Sequence, residues 1–368
     1  MFSKLARTTT VATRSFLRSG PALAGSTVVK QPTIRMTTRS FASFDPPRLF
    51  DYETVTANLT VADAIESVEA AFGALAKGEV DVPLPMHIEV NETAEAGPGD
   101  CHIKGGYVSG TPTFTVKLAT VSFYKNLDKG LPPGSGLFCV VNAVTGAPLA
   151  VMQENRFMTD LRTGAAGAVS IKHCTTPEQS TIGFIGTGAI ARNMARAAAA
   201  VRKYEKGVAY AFAGAEEFAA EMEAELGIPF VVASTAEDLC GQSDVIFTQT
   251  PGSETVLEMD WLKKDGPGVT IIASGSDQPT KQEIPNDVLK ASKYVSDLTK
   301  QTSRVGELRA PMQAGVMTED DVHAELGEIV NGDKSGREGN ELIVVDLTGT
   351  GAQDAAIGQV AWDKLSKL

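Results

Sequence analysis

The first patterned stretch of the chain is helical in period. Leu59, Ala62, Ile65, Val68, Ala71, Phe72 and Leu75 fall on one face of a helix predicted over Val55–Lys77. The period then changes. Val82–Val90, His102–Val108, Thr113–Ala119, Gly136–Asn142 and Leu149–Glu154 are short runs rich in Val, Ile, Thr and aromatics, parted by Gly, Pro and Asp turns. Strands in succession with no helix between them predict an antiparallel, barrel-like sheet, with a hairpin turn at Thr145-Gly146. An alanine-rich helix follows over Met158–His173. From Thr181 to about Val295 the strands Thr181–Ile185, Val208–Phe212, Phe230–Val232, Asp244–Thr248 and Thr270–Ala273 alternate with helices, near Ala191–Val201 and Ala215–Leu226. That alternation predicts a parallel, doubly wound sheet. A capping box at Thr318 and Asp321 predicts a helix from there to about Val330; a strand, Leu342–Asp346, and a last helix, Gln353–Leu365, end the chain.

The sharpest local pattern joins the first parallel strand to its helix. Gly186-Thr-Gly188-Ala189-Ile190-Ala191 follows the apolar run Thr181–Ile185 and opens a helix, which is the G-x-G-x-x-A arrangement of a dinucleotide-binding unit. Gly186 permits the tight turn, Gly188 allows close approach of a pyrophosphate, and Ala191 keeps the helix near the sheet, with the phosphates at its positive end.

Other residues carry candidate chemistry with a bland alternative beside each. Ser274-Gly275-Ser276-Asp277-Gln-Pro-Thr-Lys281-Gln-Glu283 follows a parallel strand, where loops line the ligand crevice; Asp277 is either a carboxylate in that cleft or a helix cap. Arg162 could clamp a substrate carboxylate or form a surface ion pair. Lys117 interrupts an apolar strand and needs an anionic partner if buried. Asp346-Leu-Thr348-Gly349-Thr-Gly351-Ala-Gln-Asp354 reads as strand, loop and helix start, suited to close over a ligand.

Composition adds a segment and removes some partners. Residues 1–44 carry Lys4, Arg7, Arg14, Arg18, Lys30, Arg35 and Arg39, many Ser and Thr, and no acid before Asp45. That composition predicts a mitochondrial (matrix) transit peptide, cut near Arg39–Ser43. The chain has 33 basic and 45 acidic residues, a formal net charge of −12. Such a surface repels phosphate backbones, which argues against nucleic acid, and no run is long enough to span a membrane. Cys101, Cys139, Cys174 and Cys240, and His87, His102, His173 and His323, show no disulfide framework or metal-ligand spacing, so no metal is expected.

Together the ordered motifs Lys117, Leu161-Arg162-Thr163-Gly-Ala-Ala, Ile185-Gly-Thr-Gly-Ala, Gly275-Ser-Asp277-Gln-Pro-x-Lys281-Gln-Glu283 and Asp346-Leu-Thr-Gly-x-Gly-x-Gln-Asp354 resemble the ornithine cyclodeaminase/μ-crystallin family, over nearly everything after residue 44. Gly130-Leu-Pro-Pro, His102-Ile-Lys104-Gly and Gly306-Glu-Leu-Arg309 look closest to its ectoine-utilisation members. The resemblance implies an α/β protein with a substrate-binding and dimerisation domain (45–175 and 330–368) and an NAD(P)-binding Rossmann domain (176–329). It implies a homodimer, with an amino or imino acid as substrate. It places the substrate at Lys117, Arg162, Thr348 and Gly349, and the acid/base at Asp277. The cofactor falls at Gly186, Gly188, Ala189, Ile190, Ala191, Thr250, Ser274 and Lys281. The implied activity is an NAD-dependent cyclodeaminase: hydride abstraction from Cα, cyclisation with ammonia loss, hydride return. Alternatives are an NAD(P)H-dependent imine reductase and a crystallin-like protein that binds NAD(P)H without chemistry. Two departures stand out. The family's arginine in the strand matching Val82–Val90 is absent, with His102 or Lys104 as possible substitutes, and Tyr210-Ala-Phe-Ala-Gly214 lacks the acid that grips an NAD ribose, leaving NADP open.

Overall fold

The computed structural model describes residues 42–368. The expected transit peptide, 1–44, falls almost wholly outside the described residues.

Two sheets organise the chain. The first contains β1 (Arg48–Phe50), β2 (Val80–Asp81), β3 (Met86–Val90), β4 (Gly99–Val108), β5 (Thr113–Val121), β6 (Ser135–Asn142) and β7 (Pro148–Gln153). Its order is β1-β7-β6-β5-β4-β2, with β3 also paired to β4, and every pair is antiparallel except β1 with β7. The second sheet is parallel throughout. It contains β8 (Thr181–Ile185), β9 (Lys206–Tyr210), β10 (Phe230–Val232), β11 (Val245–Thr248), β12 (Thr270–Ala273), β13 (Lys293–Ser296), β14 (Ala324–Glu325) and β15 (Ile343–Asp346). Its order is β10-β9-β8-β11-β12-β15-β13-β14. The order reverses at β8, so a crevice opens at the carboxyl ends of β8 and β11.

Three expectations need correction. The helix predicted over Val55–Lys77 is two helices, α1 (Tyr52–Asn58) and α2 (Val61–Ala76). Thr60 breaks the run because it caps α2: its Oγ accepts from the Asp63 N–H while Asp63 accepts from the Thr60 N–H. The box at Thr318 and Asp321 is present but closes only a 3-10 turn, Glu319–Asp321; the following chain pairs as β14, and a helix starts at Leu326. Finally β15, expected with the substrate-binding segment 330–368, lies in the parallel sheet between β12 and β13. All four of its residues are buried, as a strand covered on both faces requires.

Helices α3 (Phe157–Cys174), α4 (Ala189–Val201) and α5 (Ala215–Leu226) pack around the core. Phe184 of β8 stacks on Phe247 of β11 at 5.3 Å between centroids and meets Phe218 of α5 at the same distance. The C-terminal helix Gly351–Leu365 returns to the first sheet, where Gly351 lies against the backbone of Gly105 and Gly358 against Thr115. No Cβ fits at either place, so glycine sets how closely the helix approaches. Among the described residues no helix is long and apolar enough to cross a membrane.

Candidate active site

The carboxyl ends of four adjacent strands, β8, β11, β12 and β15, carry most of the candidate residues; Lys117 on β5 and Arg162 on α3 carry the rest. At β8, Gly186 adopts φ +90°, and a Cβ there would meet the Gln249 carbonyl at 2.9 Å, so only glycine turns the chain here. Gly188 is the N-cap of α4 and supplies no side-chain cap. A Cβ on it would meet nothing within 4 Å, so the approach to this helix end is open at Gly188. Ala191 is fully buried against the sheet. An uncapped helix end with a clear approach fits a pyrophosphate.

Buried Glu283 fixes the next two strand ends. It accepts from Thr250 N–H (2.5 Å) and Oγ (2.8 Å) after β11, from Thr248 Oγ (2.7 Å), and from Gly275 N–H (2.9 Å) after β12. Ser274 donates to the Thr248 carbonyl at 3.1 Å. Glu307 holds Glu283 in turn: it accepts from the N–H groups of Glu283 (3.0 Å) and Ile284 (3.0 Å), and from Ser276 Oγ. Burial, then the neighbouring Glu283, push the Glu307 carboxyl up to about 7. The sequence reading gave neither glutamate a role.

Asp277 projects from this braced loop and accepts from Lys281 Nζ at 2.8 Å. It caps no helix, because the next one begins at Asn286 after Pro285. Burial opposes its charge, but Lys281, Lys104 and His102 outweigh that and hold the carboxyl down to about 2.

The substrate candidates meet below it. Lys117 on β5 and Arg162 on α3 are both buried and converge on Asp354 of the C-terminal helix: Lys117 Nζ donates to Oδ1 at 2.8 Å and Arg162 Nε lies 3.2 Å from the same atom. Arg162 also donates to Gln353 Oε1 at 3.0 Å, so it forms no surface ion pair. Burial pushes Lys117 down to about 8, with Asp354 opposing. For Asp354 burial is outweighed by Lys117, Arg162 and Lys104, and its carboxyl lies below the ordinary value. Gly349, at φ +75°, packs on the guanidinium: a Cβ there would sit 2.6 Å from Arg162 Nη1. Thr348 turns its hydroxyl away, donating to Asp297 at 2.9 Å.

Lys104, on β4, is the second lysine at this seat. Its buried Nζ donates to the carbonyls of Thr348 (3.2 Å) and Gly349 (2.9 Å), and strand register sets it opposite Lys117. Lys117 and Arg162 therefore meet on the carboxylate of Asp354, with Lys104 close enough to help hold it ionised. Asp354 Oδ2 and Gln353 Nε2 are buried without hydrogen-bond partners. The donors of Lys104, Lys117, Arg162 and Gln353 are the groups that can receive a substrate carboxylate here. His102, next along β4, is pushed down to about 4 by burial, with Asp277 pulling the other way.

Phe212, where an acid for the ribose hydroxyls is usual, is fully exposed.

The chain was compared with known proteins. The sequence model of the ornithine cyclodeaminase/mu-crystallin family matches residues 48–367. Alanine dehydrogenase of Archaeoglobus fulgidus is 33% identical over 320 residues, covering 86% of this chain and 94% of that protein. Iminosuccinate reductase of Paracoccus denitrificans is 31% identical over 304 residues, covering 82% and 91%. The structure of Thermococcus litoralis Δ1-pyrroline-2-carboxylate reductase in complex with NADH and L-proline superposes with a TM-score of 0.79 at 31% identity, covering 87% of this chain and 98% of that one.

Proposed function

The chain belongs to the ornithine cyclodeaminase/mu-crystallin family, and within it we propose that this protein is an NAD-dependent oxidoreductase that reduces an α-imino carboxylate to the α-amino acid, or runs that reaction in reverse. NAD is supported by the uncapped α4 terminus and by relatives whose structures contain NADH or NAD. The bound nicotinamide would supply or accept the hydride.

The protein's own residues do the rest. Lys104, Lys117 and Arg162 seat the substrate carboxylate beside Asp354 and so fix the orientation of Cα. Asp277, ionised through the neutral range, faces the substrate nitrogen. There its charge favours the protonated, cationic iminium that accepts hydride and, in reverse, it accepts the proton that the substrate ammonium must lose before hydride leaves. Lys281 keeps the carboxylate in place.

The observation that carries this reading over the cyclodeaminase expected from the family resemblance is the kind of relative the chain matches, a Δ1-pyrroline-2-carboxylate reductase at 31% identity and an iminosuccinate reductase at 31%. The seat itself, with Lys117 and Arg162 on Asp354 and Lys104 close by, suits the one charge that every such substrate carries, its α-carboxylate. Retention of Lys117, Arg162 and Asp277 together speaks against a protein that only stores NAD(P)H. The test is to incubate the protein with NADH and Δ1-pyrroline-2-carboxylate, iminosuccinate, or pyruvate with ammonia, and separately with NAD and ornithine or lysine. The proposal expects NADH loss in the first set. Ammonia release from a diamino acid without NADH build-up would establish the cyclodeaminase instead.

We also propose a homodimer through the first sheet, whose strand β3 exposes Met86 and Ile88. Light scattering that gives a monomer at micromolar concentration would exclude it.

A further inference from the structure

Alternation along β4 puts Asp100, His102 and Lys104 on one face of the first sheet. Lys104 ends in the carboxylate seat, while the other two form a separate cluster further along the strand. Antiparallel register sets His87 of β3 directly opposite His102. The two rings meet edge to face with centroids 4.8 Å apart, and His87 Nε2 lies 3.0 Å from Asp100 Oδ1. One ligand-type atom from each of His87, Asp100 and His102 falls within 4.8 Å of the others. Spacing along the sequence hides this arrangement, because strand pairing and not sequence distance brings the histidines together. The proposed reaction uses none of the three.

We propose that His87, Asp100 and His102 form a site for a divalent transition-metal ion of the zinc class at the rim of the substrate cleft. Two imidazoles and a carboxylate are a zinc-type donor set, and two nitrogen donors disfavour calcium or magnesium, which take oxygen ligands. Bonds of about 2 Å to a tetrahedral ion need ligand atoms roughly 3.3 Å apart, so the widest separation must close by something over an ångström. His87 can supply that movement: its side chain is 40% exposed and its strand is paired only to β4. Three protein ligands leave a fourth position open to water or to a substrate group. The site also touches the catalytic loop, since a nitrogen of His102 lies 3.3 Å from Gln278 Nε2, one residue after Asp277. An ion that engages His102 therefore competes with that contact and adds positive charge beside the cleft. A bound ion of this kind would modulate the reaction from the rim.

The test uses the full chain, freed of metal, titrated with Zn²⁺ by calorimetry and with Co²⁺ by visible absorption, in which tetrahedral Co²⁺ gives intense bands. The expected result is one ion per chain with a tetrahedral Co²⁺ spectrum. His87→Gln and Asp100→Asn should each weaken Zn²⁺ binding by about 10–100-fold or more, the scale at which even supporting groups of metal sites act. His323→Gln, which alters an exposed histidine bonded to the Ser335 carbonyl far along the chain, should leave binding unchanged. Melting temperature without metal checks that each variant is folded. Absence of stoichiometric binding to the wild type, equal affinity in His87→Gln and Asp100→Asn, or equal loss in His323→Gln each overturns the site.

Discussion

Replacing Asp277 by Asn separates a chemical role from a structural one. The amide is nearly isosteric and can still accept from Lys281 Nζ, now 2.8 Å away, but it neither holds a charge nor exchanges a proton at neutral pH. Two free energies follow. The stability term is small, because the Asp277–Lys281 pair is an i,i+4 contact whose side chains are 34% and 22% exposed. Such pairs contribute less than about 1 kcal/mol. The catalytic term is large. Loss of positioned proton transfer lowers rate by about 10²–10⁴-fold, or roughly 3–5 kcal/mol of barrier. Thermal melts and stopped turnover in one preparation therefore read opposite outcomes: a melting temperature within a few degrees of the wild type, and kcat reduced at least a hundredfold. NADH affinity, followed by fluorescence, should be unaffected. Asp277→Asn turning over any accepted imine within about threefold of wild type would refute the assignment, since that small loss is far below the scale of general acid–base assistance. The wild-type pH profile offers a second check. With Asp277 held to about 2, its own ionisation should leave no acidic limb between pH 4 and 7.

Gly349→Ala should raise KM for the imino acid far more than it lowers kcat, because the new Cβ at 2.6 Å displaces the Arg162 guanidinium and φ +75° strains alanine; steady-state kinetics at saturating NADH separate the two. Glu307 titrates near 7 in the fold against an ordinary 4.5, so the protonated form is favoured by folding. Its contribution to stability is thus full below pH 4.5 and lost as pH rises through about 7. Glu307→Gln should flatten that part of the stability–pH curve in urea titrations, and an unchanged slope excludes the assignment. Residues 1–44, fused to a reporter, should deliver it to mitochondria; a cytosolic reporter on fractionation counts against the expected transit peptide.

Much of this architecture is legible in the chain because it is local. The G-x-G-x-x-A turn at Gly186 depends on the residues it contains, and each parallel strand announces itself as a short apolar run. Lys117 and Arg162 could be singled out because a charge inside an apolar strand, or within an alanine-rich helix, is locally odd. The partner of both, Asp354, lies more than 190 residues further on and acquires its role only when the C-terminal helix docks. Lys104 looks like an ordinary strand lysine until register sets it opposite Lys117. Glu283 and Glu307 stand inside motifs the sequence shows, but their roles could not be read there, because their work is to hold backbone N–H groups of loops, which carries no sequence pattern. The break at Thr60 was readable from its capping box with Asp63, but helical periodicity continues across it and masked the stop.

The place of β15 gives the protein a schedule. Strands β12 and β13 are finished by Ser296, yet they do not pair with each other; the seat between them is filled by Ile343–Asp346, which are made later in synthesis. Until those residues leave the ribosome, the nucleotide-binding sheet has an interior gap, and two strand edges that end up buried stay open. The same late segment then supplies Thr348, Gly349 and Asp354, so the cofactor sheet closes and the substrate seat is completed by a single stretch of chain. A ribosome that stalls before residue 343 releases neither half in finished form, which ties the appearance of a nucleotide-binding site to the appearance of the chemistry that uses it.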